Sequence, residues 1–227
     1  PRPCGLHRAV TVDPYLDPGN GVLRNLLGIT DPERLREAEA ALTFAALADL
    51  GTRALPGNYD LEHLCAFHRE VFGDLYPWAG QVRTVNIAKT QMFCLAQQIE
   101  TYAADVFATL AKERYLQGLP RDRFVDRATH YFAEVNAIHP FREGNGRTQR
   151  AFFRQLSGTA GWTIDWSGLE PDQNVPASTA SLGGDNTPLR KLQVPLPSSD
   201  EGRDEPERCS TRLRGCDCVT RVIHYGP

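Results

Sequence analysis

His139-Pro140-Phe141-Arg142-Glu143-Gly144-Asn145-Gly146-Arg147, followed by Arg150, is the stretch on which the reading of this chain turns. It gathers a titratable base, a carboxylate, a glycine-bracketed turn and several guanidiniums into one connection between two helical patterns. Gly144 and Gly146 flank Asn145, and torsions open to glycine can turn successive N–H groups into one concavity. Such a nest at a helix N-terminus is an anion site. Arg147 and Arg150 fall in the first turn of the helix that follows. Cations there oppose the helix dipole by about 0.3–1 kcal/mol each, and a bound polyphosphate would reverse that sign. Arginine also forms bidentate bonds to phosphate oxygens. Glu143, just before the nest, is placed to hold a magnesium ion carried by a nucleotide. His139 closes the preceding helix, and an imidazole with an unperturbed pKa of ~6.5 can take a proton near neutrality. Phe141 reads as the apolar anchor of the loop.

Taken singly, these features are commonly structural: a histidine at a helix end, a Gly-Asn-Gly turn, a solvated Glu–Arg pair. Their order is what carries the chemical reading. No G-x-x-x-x-G-K-[ST] or G-x-G-x-x-G motif competes with it, since Gln149 stands where a third glycine would follow Gly144 and Gly146.

Outward from the motif the pattern is helical. Upstream, Phe124, Val125, Ala128, Tyr131, Phe132 and Val135 form a stripe over 121–138 whose aromatics predict a central helix. Downstream, Ala151, Phe152, Phe153 and Leu156 carry a helix to about Gly158. Thr30 with Glu33 predicts a capping box, and Pro32 suits a first turn. Leu35, Ala38, Leu42, Ala45, Ala46 and Leu50 continue that helix to Gly51. Asp60 opens another through Leu64, Phe67, Val71 and Phe72 to Gly73. A further helix spans about Gln97 to Tyr115, and a weaker one lies within 175–192. Val82, Val85 and Ile87 alternate with Arg83, Thr84, Asn86 and Ala88, which predicts a strand. Met92, Phe93 and Cys94 would return it as a small hairpin. The fold class expected is mainly α, a helical bundle with one β-hairpin. Residues 1–29 read as an irregular lead-in, 30–194 as the domain and 195–227 as a disordered, cysteine-containing tail.

Composition sets outer bounds. The 227 residues are 41% apolar with a net charge of −3, and the pI near 6.1 gives no global pull toward nucleic acid or anionic membrane. No apolar run approaches a membrane span, and the first residues lack a secretory apolar core, so a cytoplasmic setting is the expectation. Cys65 and Cys94 sit in apolar patterns and read as reduced thiols. Cys209, Cys216 and Cys218, with His224, lack the paired two-residue spacings of zinc modules.

The run from His139 to Arg150 resembles the signature of the Fic domain (filamentation induced by cAMP), H-x-F-x-[DE]-G-N-G-R-x-x-R, at every specified position. Leu75-Tyr76-Pro77-Trp78-Ala79-Gly80-Gln81-Val82-Arg83-Thr84-Val85-Asn86-Ile87 resembles the family's segment leading into its active-site flap, and the likeness covers roughly residues 20–192. The resemblance implies a Fic-type helical bundle with a hairpin flap over the site. It implies a protein adenylyltransferase that moves AMP from Mg-ATP to a Ser, Thr or Tyr hydroxyl of a target protein and releases pyrophosphate. His139 would be the general base and Glu143 would hold Mg2+. Gly144, Asn145 and Gly146 would form the anion hole, and Arg147 and Arg150 would hold the β- and γ-phosphates. Lys89 and Thr90, in a flap near Ile87–Phe93, would lie close to the nucleotide. Gly146 stands where the family's phosphotransferase branch has lysine, which favours AMP transfer. The family's self-inhibitory pattern [ST]-x-x-x-E-[GN] is not met: Glu143 and Glu201 are the glutamates followed by Gly or Asn, and His139 and Pro197 stand four residues before them. This implies a toxin-like bacterial enzyme restrained by a separate small antitoxin, with a type II topoisomerase such as gyrase as the implied target. Two other readings stand beside it: a Fic-like module that binds nucleotide or peptide without transfer, and transfer of another phosphate-containing moiety.

Overall fold

The structure is a computed structural model that describes residues 13–89, 91–164, 166, 176–177, 179–181, 183–192 and 195–197. Helix α1 is Pro32–Leu50, α2 Leu61–Phe72, α3 Ile99–Lys112, α4 Arg121–Ile138 and α5 Asn145–Thr159. Short 3-10 turns, Ala96–Gln98 and Arg114–Leu116, flank α3. Strand β1 (Trp162–Ile164) pairs antiparallel with β2 (Pro195–Pro197), Trp162 opposite Pro197, and α6 is Thr187–Leu192.

Helix α4 is the central element that its aromatic stripe predicts. Phe124, Tyr131, Phe132 and Val135 are buried, and α4 packs against α3 on one side and α5 on the other. Phe152, Phe153 and Leu156 of α5 meet Leu64 and Phe67 of α2 in the same core. Each such side chain stabilises the fold by about 1.5–3 kcal/mol on burial. A second apolar cluster joins Tyr15 and Val22 of the lead-in to Val71, Phe72, Leu75, Tyr76 and Trp78, with Tyr15 edge-on to Trp78.

Four expectations shift. The cap of α1 is Asp31, whose carboxylate accepts from Arg34 N–H, so the helix starts one residue after the capping box expected at Thr30. Helix α1 also lies at the surface. Leu35 and Thr43 are its buried residues and Phe44 is exposed, because its many alanines give no strong apolar face. The hairpin is shorter than the alternation suggests. Ala88 bridges Met92, Lys89 N–H donates to Gln91 and Phe93 N–H donates to Ile87, while Val82–Asn86 pairs with no strand among the described residues. Finally, Pro195–Pro197 belongs to a strand, so ordered structure runs past the boundary drawn before residue 195. The rest of that tail, 198–227, lies outside the described residues. Among the described residues no helix is long and apolar enough to cross a membrane.

Candidate active site

The site is built where α4 ends and α5 begins. His139 caps α4 in the left-handed region, φ 46° and ψ 62°, with its N–H on Val135 O. That conformation is uncommon for a residue with a Cβ, and it turns the chain sharply into the loop. Asn145 holds the loop closed: its Oδ1 accepts from Phe141 N–H at 2.9 Å and its Nδ2 donates to Phe141 O at 2.7 Å. Gly144 caps α5 at φ 80°, and a Cβ there would sit 2.3 Å from the Phe72 ring, so glycine is required for torsion and for space. Gly146 is ordinary helix. A Cβ there would meet only Arg150 Nη1, at 3.4 Å, so its value is open space, not the torsional freedom that the sequence suggested.

A cavity of about 410 Å3 lies over this junction, within the size range of small-molecule sites. His139, Glu143, Asn145, Gly146, Arg150 and Lys89 all line it, with Phe93, Asn136 and Gln149. The first-turn N–H groups of α5 have no carbonyl within the helix, and Asn145 and Gly146 bring them to the cavity wall. Thr90 lies outside the described residues.

The imidazole of His139 is buried and stacked on Phe93, centroids 3.7 Å apart. Its Nδ1 lies 3.2 Å from Asn136 O. A carbonyl only accepts, so Nδ1 carries the proton and Nε2 presents its lone pair. Burial, then the positive charge of Lys89, lowers the pKa to about 3, against a raising contribution from the Asn136 carbonyl; Arg83 lowers it slightly further. The ring is therefore neutral at physiological pH.

Glu143 accepts from Gly144 N–H at 3.0 Å through one oxygen, while its other oxygen has no partner among the described residues. No group of three or more His, Cys, Asp or Glu occurs among the described residues. A single half-exposed carboxylate, with the Arg147 guanidinium 3.9 Å away, does not make a metal cage. It does fit a magnesium ion whose other ligands are phosphate oxygens and waters.

The two motif arginines diverge. Arg147 ion-pairs with Glu39 of α1, donates to Thr43 Oγ1 at 3.1 Å and stands 4.9 Å over the Phe72 ring. It lines a neighbouring groove between α1 and α5, not the cavity that holds His139. Arg150 lines both spaces and has no hydrogen-bond or ion-pair partner among the described residues. Burial, and then the charge of Arg147, pushes its pKa below the usual arginine value. An unpaired guanidinium withdrawn from water costs several kcal/mol unless an anion meets it.

Sequence reasoning missed three supporting residues. His68 lies between the Phe72 and Phe141 rings. Its Nδ1 accepts from Gly80 N–H at 2.8 Å, so its Nε2–H donates to Glu143 O at 3.0 Å. Burial lowers its pKa to about 4, keeping it neutral. Arg83, a charged residue in the stretch read as a strand, is 1% exposed. Its guanidinium donates to the carbonyls of His139 (2.8 Å), Val85 (2.7 Å), Cys94 (2.6 Å) and Ile138 (3.3 Å). Hydrogen bonds from a charged donor contribute about 1.5–3 kcal/mol each, enough to offset its desolvation. Glu39 is the third. A position of His68 beside Leu64, Phe67 and Val71 was the one available sequence signal; Arg83 and Glu39 gave none.

Residues 58–157 match the Fic/DOC family. A probable protein adenylyltransferase Fic of Salmonella typhimurium is 40% identical over 185 residues, covering 79% of this chain and 90% of that protein. The chain belongs to the Fic/DOC family. A second Fic relative, the protein adenylyltransferase VbhT of Bartonella schoenbuchensis, is 45% identical over 181 residues. That match covers 79% of this chain and 38% of VbhT, so the chain spans well under half of VbhT's length. Among solved Fic structures, BepC of Bartonella tribocorum with bound AMPPNP superposes at a TM-score of 0.77. It is 27% identical and covers 81% of this chain and 97% of BepC. The N-terminal Fic domain of a Bartonella quintana effector with bound ADP gives 0.78 at 27% identity, covering 82% and 96%. The Fic fold expected from the motif is the fold found.

Proposed function

We propose that this chain transfers AMP from Mg-ATP to a Ser, Thr or Tyr hydroxyl of a target protein. The enzyme class, a nucleotidyltransferase, rests on relatives 40–45% identical that are named protein adenylyltransferases. Nucleotide binding is supported by Fic neighbours carrying AMPPNP and ADP. The observation that carries the mechanism is the pairing, in one cavity, of the His139 imidazole, whose Nε2 is unprotonated, with the unpartnered Arg150.

The hydroxyl oxygen of the target attacks the α-phosphorus. Its proton passes to Nε2 of His139, the bond from the α-phosphorus to the α,β-bridging oxygen breaks, and the electron pair leaves with pyrophosphate. The α5 N-terminus at Asn145 and Gly146 and the Arg150 guanidinium receive phosphate charge. Glu143 would hold Mg2+, which neutralises phosphate charge when bound. Lys89 would meet the nucleotide from the flap. Arg147, held by Glu39, would support the site from the α1 side unless nucleotide draws it across. The backbone of the flap would pair with the target in strand fashion.

Supply of ATP labelled at the α- or the γ-phosphorus separates the readings. Label carried into protein from the α-position only, and lost in His139→Ala, supports AMP transfer. Label from the γ-position would indicate phosphate transfer, and bound but untransferred ATP would indicate a binding module.

The setting proposed is a bacterial cytoplasm, in keeping with the bacterial relatives. There the enzyme acts as a toxin on a type II topoisomerase such as gyrase, restrained by a small antitoxin chain that supplies the carboxylate Arg150 lacks. No direct contact with nucleic acid is part of this reading. Growth arrest on expression, relieved by His139→Ala, with an AMP adduct on gyrase by mass spectrometry, tests it. Normal growth at full expression would refute the toxin role.

A further inference from the structure

Each nitrogen of the Arg83 guanidinium donates, and every acceptor is a backbone carbonyl. Val85 and Cys94 lie on the two stems of the flap, before Ile87 and after Phe93. Ile138 and His139 are the last turn and cap of α4. The Arg83 N–H adds Pro140 O at 2.8 Å, and Cys94 N–H takes Ala137 O at 3.0 Å. The end of an α-helix leaves its last carbonyls without helical donors. Here the flap stems supply those donors, so the same atoms that anchor the flap also fix the backbone of His139. No carboxylate pairs with Arg83 among the described residues, so its charge serves these carbonyls alone.

We propose that Arg83 is a positioning residue of the transfer reaction, a clamp that makes the flap and the His139 imidazole one rigid body. This rests on the general-base reading of His139. Its logic is registration. A target strand seated on the flap presents its hydroxyl at a height set by the flap, and the base must wait at that height. A clamp shared by both keeps the distance constant whatever else in the domain moves. Lysine cannot replace it, because one ammonium presents its donors from a point and cannot span four carbonyls.

The test measures AMP incorporated from α-labelled ATP into the proteins of a bacterial lysate, per folded enzyme, for wild type, Arg83→Lys, Arg83→Met and His139→Ala. A displacement of the base by about 1 Å costs about 100-fold in rate. Arg83→Met should therefore lose about 100-fold in kcat and Arg83→Lys about 10-fold, with KM for Mg-ATP within about threefold of wild type. A folded Arg83 variant with wild-type kcat overturns the clamp, and so does a loss confined to KM. Transfer surviving in His139→Ala would instead overturn the general-base reading. The unmodified protein gives a readout that no folding defect can spoil. The Nε–H of Arg83 and the amides of Cys94 and His139 should exchange with solvent slowly and, relative to each group's intrinsic rate, with a common protection factor. Fast exchange or unequal protection refutes a single body.

Discussion

Arg83 and Arg150 are guanidiniums beside the His139 loop, the first buried and the second half-buried, yet they end differently. Arg83 is closed: its three nitrogens donate to four carbonyls. Arg150 is open: burial pushes its pKa down and no protein group among the described residues answers its charge. The difference separates what the fold completes for itself from what it leaves for a ligand. A closed charge makes shape, and an open one marks where an anion belongs.

Substitutions should divide along that line. The largest effect expected is in Arg150→Met. Mg-ATP should bind about 100- to 1,000-fold more weakly, equivalent to about 3–4 kcal/mol, while thermal stability holds or rises, because an uncompensated charge is gone. A Tm several degrees lower would show that Arg150 has a protein partner after all. Arg83→Met should do the reverse, destabilising the fold by about 3 kcal/mol as carbonyls lose their donors while Mg-ATP affinity stays within about threefold. Denaturant unfolding and calorimetric titration on the same preparations check both.

Two histidines extend the comparison to pH. His68 is closed and His139 faces the cavity. Burial lowers both, to about 4 and about 3, so the native protein refuses protons that the unfolded chain accepts. Stability should therefore be full above pH ~6.5 and fall as pH drops from there toward 4, by about 1.4 kcal/mol per unit for each histidine. His68→Gln should roughly halve that slope. Nucleotide sharpens the contrast. Triphosphate charge opposes the lowering by Lys89 and Arg83, so the His139 titration by NMR should move upward with a non-hydrolysable ATP analogue, and that of His68 should stay put. The acid limb of kcat should then lie above that of kcat/KM. Equal movement of both rings would erase the distinction.

The smallest effect belongs to Glu39→Gln, which takes one carboxylate from Arg147 and leaves its contacts with Thr43 and Glu143. Stability should fall by about 1 kcal/mol or less. If Arg147 reaches phosphate, as the family resemblance implies, Mg-ATP binding should tighten up to about threefold. Unchanged binding would leave Arg147 as a structural residue of the α1 side.

The parts of the fold legible in the sequence were those that repeat locally. The stripe Phe124, Val125, Ala128, Tyr131, Phe132 and Val135 placed α4 over the residues it occupies, and Asp60 and Gly73 bracketed α2. The motif gathered most of the cavity wall because its residues are close along the chain. Long-range polar contacts were not legible. Nothing near Arg147 in sequence points to Glu39, 108 residues away. The role of Arg83 was not legible, because its partners are backbone carbonyls that every residue has. The pairing of Pro195–Pro197 with β1 escaped for the same reason, since a proline-rich stretch gives little sign of a strand.

The left-handed cap at His139 also bears on when the enzyme becomes competent during its own synthesis. That conformation costs of order 1–2 kcal/mol in an isolated chain, and the contacts that hold it reach back 56 residues to Arg83. A ribosome-bound chain that has not yet joined these two segments carries the whole flap sequence but a base with no fixed place. Competence thus arrives late and at once, when α4 closes onto the flap stems.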